Sequence, residues 1–88
     1  MKIKPEFFIS YDEDDICILR READGSAREV SPISASAAMA WECIERGMTR
    51  EAMIEAIITE FGGADPEQVT ADLDALTAQL LTLGYAEE

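Results

Sequence analysis

The chain contains no histidine. That removes the commonest general base at neutral pH and the commonest metal ligand. It has two cysteines, Cys17 and Cys43, far apart and outside any C-x-x-C pair. They form no disulfide framework and no thiolate metal site, and both read as free, buried thiols. No apolar run approaches the roughly 20 residues of a membrane-spanning helix. The N-terminal Met1-Lys-Ile-Lys-Pro5 is positively charged but lacks the apolar stretch of a secretory signal. A cytoplasmic protein with no membrane role is the expectation. Positive charge is scarce, with 7 Lys and Arg against 19 Asp and Glu and a net charge of −12. Residues 1–33 carry 8 acidic and 5 basic side chains, whereas residues 34–88 carry 11 and 2. Nucleic-acid binding depends on Lys and Arg displacing counterions, so the second part of the chain is unsuited to it.

Motifs for chemistry are also missing. There is no Walker A, no G-x-G-x-x-G and no G-x-S-x-G, and no nucleophile–base pair can be assembled without His. Asp12-Glu-Asp-Asp15 suggests a calcium loop, but an EF-hand needs Gly at its sixth position and Glu at its twelfth. Here those positions hold Cys17 and Ala23. An acyl carrier is excluded because no Asp-Ser dipeptide is present. The expectation is a non-enzyme with no catalytic residues, no cofactor and no metal.

What is present is a chain of two halves in 88 residues, read as a single domain spanning 1–88. Residues 6–11 and 16–22 are aromatic and β-branched and read as strands, joined by the acidic turn. Ala23-Asp-Gly-Ser26 is a hairpin signal, because Asp-Gly accepts the positive φ of tight turns. A third strand follows at 27–31, with Ala27, Glu29 and Ser31 expected on one face and Arg28 and Val30 on the other. Pro32 cannot donate to a ladder and so belongs at a strand end or an edge. With 16–22 central, the third strand is an edge strand.

Three helices are expected after it. The first spans 35–46, capped by Ser34 or Ser36, carries Trp41 in the core, and stops at Gly47. The second spans 50–61 behind Thr49 and stops at Gly62-Gly63. The third spans 66–83 behind Asp65-Pro66, with Val69, Leu73, Leu76, Leu80 and Leu83 in one stripe. Core packing is the expected role of that stripe. Asp72 and Gln79 flank it on one side and Thr70, Thr77 and Leu81 on the other; periodicity does not choose between the flanks. The fold class is α+β, an N-terminal three-stranded antiparallel sheet followed by three helices, winged-helix-like.

The run Val30-Ser-Pro-Ile-Ser34, with Ser36-Ala37, Trp41, Ile44 and Gly47, resembles the central motif of the PqqD-like family. That family includes the pyrroloquinoline quinone (PQQ) biosynthesis protein D, and its fold is also called the RiPP recognition element. Thr49 with its helix, Asp65-Pro66, Val69, Asp72-Leu73, Leu76, Leu80 and Gly84 continue the pattern over nearly the whole chain. Ser34 stands where the family has Asn, and Arg46 is an extra residue before Gly47.

The resemblance implies a leader-peptide binder. The leader of a precursor peptide adds a strand to the open edge of the third strand and rests against the third helix. A partner enzyme, often a radical SAM protein, then modifies the peptide. On that footing the expected binding residues are Ala27, Arg28, Glu29, Val30 and Ser31 on the strand, with Asp72, Leu73, Leu76 and Leu80 on the helix. The Asp72 flank is chosen from the family motif. The edge strand agrees, since unpaired N–H and C=O groups template an added strand. Two alternatives remain at this level. One is a winged-helix DNA-binding regulator; the other is a homodimer paired edge to edge, so both monomer and homodimer are open.

Overall fold

The helix starts follow from their caps. The computed structural model describes all residues, 1–88. In it Ser34 Oγ accepts from the Ala37 N–H at 3.2 Å, Thr49 Oγ1 from Ala52 at 3.1 Å, and Asp65 Oδ1 from Glu67 at 3.1 Å. Each bond satisfies an N–H that the first helical turn leaves unpaired. The helices are α1 (Ala35–Glu45), α2 (Arg50–Glu60) and α3 (Pro66–Thr82). Gly47, with φ 73°, follows α1 as the residue that can reverse the chain.

The strands are β1 (Lys2–Ile3), β2 (Phe7–Asp12), β3 (Asp15–Arg21), β4 (Ala27–Pro32) and β5 (Ala86–Glu87). β2, β3 and β4 form an antiparallel sheet in that order, and α1 to α3 follow it. The three expected strands and three expected helices are therefore all present, with ends within a residue of those read from the sequence. The short β1 and β5 were not expected. They pair antiparallel, with Lys2 opposite Glu87 and Ile3 opposite Ala86, and so fasten the two chain ends together.

The acidic segment is a two-residue hairpin turn: Asp12 pairs with Asp15, and Glu13 takes a φ of 45°. In the second turn Asp24 Oδ1 accepts from both Ser26 N and Ser26 Oγ, at 2.9 and 2.6 Å.

The core lies between the inner sheet face and the three helices. It holds Ile18 from β3, Trp41, Cys43 and Ile44 from α1, Met53 and Ile57 from α2, and Val69, Leu73 and Leu80 from α3. Trp41 is fully buried at 0% exposure. Tyr85, just before β5, stacks edge-on against Phe7 at 4.9 Å and lies 6.1 Å from Trp41. This aromatic group joins sheet, first helix and C-terminus. Two sequence expectations change. Leu83, the last residue of the stripe, is 57% exposed. Cys17 is only half-buried, on the outer sheet face with its Sγ 3.5 Å from Glu29 Oε1. Partial desolvation first, then the Glu29 carboxylate, hold that thiol above its usual pKa.

One ion pair braces two helices: Arg50 forks onto Asp74 at 2.9 and 2.7 Å. This guanidinium holds the Asp74 carboxyl below its usual range, and the Ser26 bonds do the same for Asp24. A depressed carboxyl contributes stability above the unfolded-state value of about 4, and that contribution is lost as pH falls through the folded-state value. The D24N/D74N variant should therefore lose less of its urea midpoint than the parent between about pH 4 and pH 2.

Candidate functional site

The site begins with the direction in which β4 points its main chain. In an antiparallel ladder, residues alternate between bonding one neighbour and facing the other way. Arg21 N donates to Glu6 O on the β2 side, while Glu22 N donates to Ser26 O and Ile33 N to Ile16 O on the β4 side. These bonds set the parity of β3, whose Arg20 and Ile18 turn toward β4. Their partners Arg28 and Ser31 therefore spend their main-chain groups inward. Ala27 and Glu29, opposite Arg21 and Leu19, turn their N–H and C=O groups outward. No strand pairs with that side, because β4 is an edge of the sheet. Pro32 offers only a carbonyl.

The expected alternation of side chains along β4 does not hold. The register shifts between Ile18 and Leu19, which leaves Val30 as the extra residue of a β-bulge. Glu29 lies opposite Leu19 and Ser31 opposite Ile18, so Glu29 and Ser31 are on opposite faces rather than the same one. Val30, 38% exposed, sits at the kink. Arg28 pairs with Glu22 at 3.3 Å.

Beyond Ser31 the edge runs into a groove against α3. A cavity of about 220 Å³ lies between Ser31, Pro32 and Ile33 on one side and Gln79, Leu80 and Leu83 on the other. A second, of about 340 Å³, lies further along α3, walled by Ser34 and Ala37, by Phe61, and by Asp72, Leu73 and Leu76. Leu76, Ala37 and Ser34 belong to both cavities and stand between them. The flank of α3 carrying Asp72 and Gln79 thus faces the end of β4 and the start of α1. Thr77 lies on the opposite flank, in a separate cavity with Arg50 and Met53.

The nine residues expected from the sequence fall into three groups. Ala27 and Glu29 present free main chain. Arg28 and Ser31 are tied inward, with Val30 at the bulge between them. Asp72, Leu73, Leu76 and Leu80 all line the groove, although Leu73 and Leu80 are each only 3% exposed and form its floor. Asp72 is the one charged side chain lining either cavity; its Oδ1 accepts from Gln68 Nε2 at 2.8 Å. Sequence reasoning assigned no site role to Leu83 or Phe61. Both are large apolar residues left exposed, Phe61 just past α2 and Leu83 just past α3. A stripe residue continuing past the covering sheet was the signal available for Leu83.

Comparison with known proteins adds two findings. The model of the family described as Coenzyme PQQ synthesis protein D (PqqD) matches residues 25–85. Among solved structures, TbiB1 in complex with the TbiA(beta) leader peptide has the same fold, with a TM-score of 0.72. It is 23% identical, over 99% of this chain and 95% of that one. No curated protein matches the chain in sequence.

Proposed function

The chain belongs to the PqqD family, and from that premise we propose that it is a non-catalytic peptide-binding adaptor. It takes the leader of a ribosomally made precursor and presents that peptide to a modifying enzyme, for which a radical SAM protein is the expected class. The observation that carries this reading is the continuity of an open main-chain edge, at Ala27 and Glu29, with an apolar groove on α3. The leader adds a strand to β4. Each main-chain hydrogen bond then contributes about 0.5–1.5 kcal/mol net. Pro32, having no N–H, marks where strand pairing stops and side-chain recognition begins. Leader side chains enter the two cavities on either side of Leu76. The likeness to a fold solved with a leader peptide supports the same reading.

Charge narrows the ligand. Asp72 has no cation beside it, and residues 34–88 carry a balance of −9, from 11 acidic and 2 basic side chains. A leader with Lys or Arg beside Asp72 is favoured over one with Glu there. Arg50, the one basic residue in α2 and α3, is committed to Asp74, so neither helix has a free cation for DNA.

Titrating the ¹⁵N-labelled chain with synthetic leader segments of ribosomally made precursor peptides tests the proposal. Amides of residues 27–31 and 72–83 should move. No binding at high micromolar peptide, or shifts confined to other surfaces, would sink it. D72N should weaken a basic leader by about two- to fivefold, as expected for an exposed ion pair, and leave an uncharged one unaffected.

A further inference from the structure

Positive charge is as unevenly placed in space as along the chain. Of the seven basic side chains, Arg28 and Arg50 form ion pairs, and Lys2, Lys4, Arg20, Arg21 and Arg46 form none. Three of the unpaired cations, Lys2, Lys4 and Arg21, surround one cavity of about 370 Å³. Its apolar wall includes Ile3, Pro5 and Phe8.

Arg21 is fixed in place there. Its Nη1 donates to Pro5 O at 2.8 Å, and its guanidinium lies 4.4 Å over the Phe8 ring. Such stacking pre-organises the guanidinium fork for carboxylate recognition. The opposing charges are Glu45, which lines the cavity, Glu87, which faces Lys2 across the β1–β5 pair, and Glu6, which lies between the lining residues Pro5 and Phe7. The cavity adjoins β1 and the start of β2, and β2 is the sheet edge opposite β4. A leader seated along β4 and α3 leaves it uncovered.

We propose that this cavity is a second docking site, taking an acidic segment of the peptide-modifying enzyme while the leader occupies β4. Carboxylates of that segment meet Lys2, Lys4 and Arg21, and an apolar side chain between them packs on Phe8 and Pro5. Three cations against the one carboxylate that lines the cavity steer an acidic segment toward it. Only the identity of the partner rests on the adaptor reading; the site itself does not.

The test uses the full ¹⁵N-labelled chain and a twelve-residue peptide repeating Asp-Phe-Glu, with a Lys-Phe-Lys repeat, phosphatidylglycerol vesicles and duplex DNA as comparisons. The acidic peptide should shift amides of residues 2–8 and Arg21, equally well with leader already bound. In K2Q/K4Q/R21Q its affinity should fall about tenfold, as expected when three exposed ion pairs are lost together. K2Q/K4Q, which keeps the Arg21–Pro5 bond and the Phe8 stack, should give an intermediate loss and so separates charge from fold damage. Leader affinity should not change in either variant. Absent shifts, unchanged affinity in the variants, or tighter binding of vesicles or DNA than of the acidic peptide would overturn the second site. If the acidic peptide fails while the leader binds, this site alone falls; if the leader fails too, the adaptor reading falls with it.

Discussion

Replacing Glu29 with proline weakens leader binding by about tenfold or more and leaves the domain folded, if β4 is the docking strand. Glu29 points its N–H outward, so the substitution breaks no main-chain bond to β3 and loses only the weak Cys17 Sγ contact of its carboxylate. A proline on an edge strand with its nitrogen facing away is tolerated. An added strand, however, loses a donor worth about 0.5–1.5 kcal/mol and meets a pyrrolidine ring where it should pair. About 1.4 kcal/mol is a factor of ten in affinity. Arg28→Pro is the matched control one residue away. It removes an inward N–H facing Arg20 and should lower the urea midpoint directly. Calorimetry for affinity and urea melts for stability separate the two variants. Equal leader binding by E29P and the parent would show that the leader docks elsewhere.

Trp41→Ala has the largest expected effect on stability. Trp41 is fully buried beside Tyr85, and truncating a core aromatic costs about 3–5 kcal/mol. The whole domain has about 5–15 kcal/mol available, so the variant should be largely unfolded on warming. Trp41→Phe should cost less than half as much. The indole Nε1 has no hydrogen-bond partner in the chain. Replacing it with phenylalanine therefore removes an unsatisfied donor whose burial costs about 1–3 kcal/mol, which offsets part of the lost packing. Thermal melts by circular dichroism measure both. A Trp41→Phe protein with native leader affinity identifies the tryptophan as scaffold.

The fold was legible where chemistry is local. Ser34, Thr49 and Asp65-Pro66 announce helix starts through side chains that reach their own backbone, and Asp24-Gly25 announces a turn through its tolerance of positive φ. The strand order followed from one apolar central strand between two short hairpin turns. What was not legible depends on long-range contact. β1 and β5 are two residues each, too short for any pattern, and exist because the chain ends meet. The bulge at Val30 was hidden because a short polar strand with one large apolar residue does not specify its register. Periodicity does not separate the two flanks of the α3 stripe; only the family resemblance pointed to the Asp72 side, and the placement of α1 and the end of β4 against that side is what the fold adds. The groove walls from Ala37 and Phe61 come from helices whose own patterns speak only of the core.

Amide hydrogen exchange of residues 27–33, with and without leader, is the most direct measurement of the proposed docking. Free protein should show slow exchange at Arg28, Ser31 and Ile33, which are bonded to β3, and fast exchange at Ala27 and Glu29, which face solvent. Saturating leader should slow Ala27 and Glu29 selectively, because strand addition gives them acceptors. If these two amides exchange equally fast in the complex, the leader is not a fourth strand on β4, and the account is wrong at its centre.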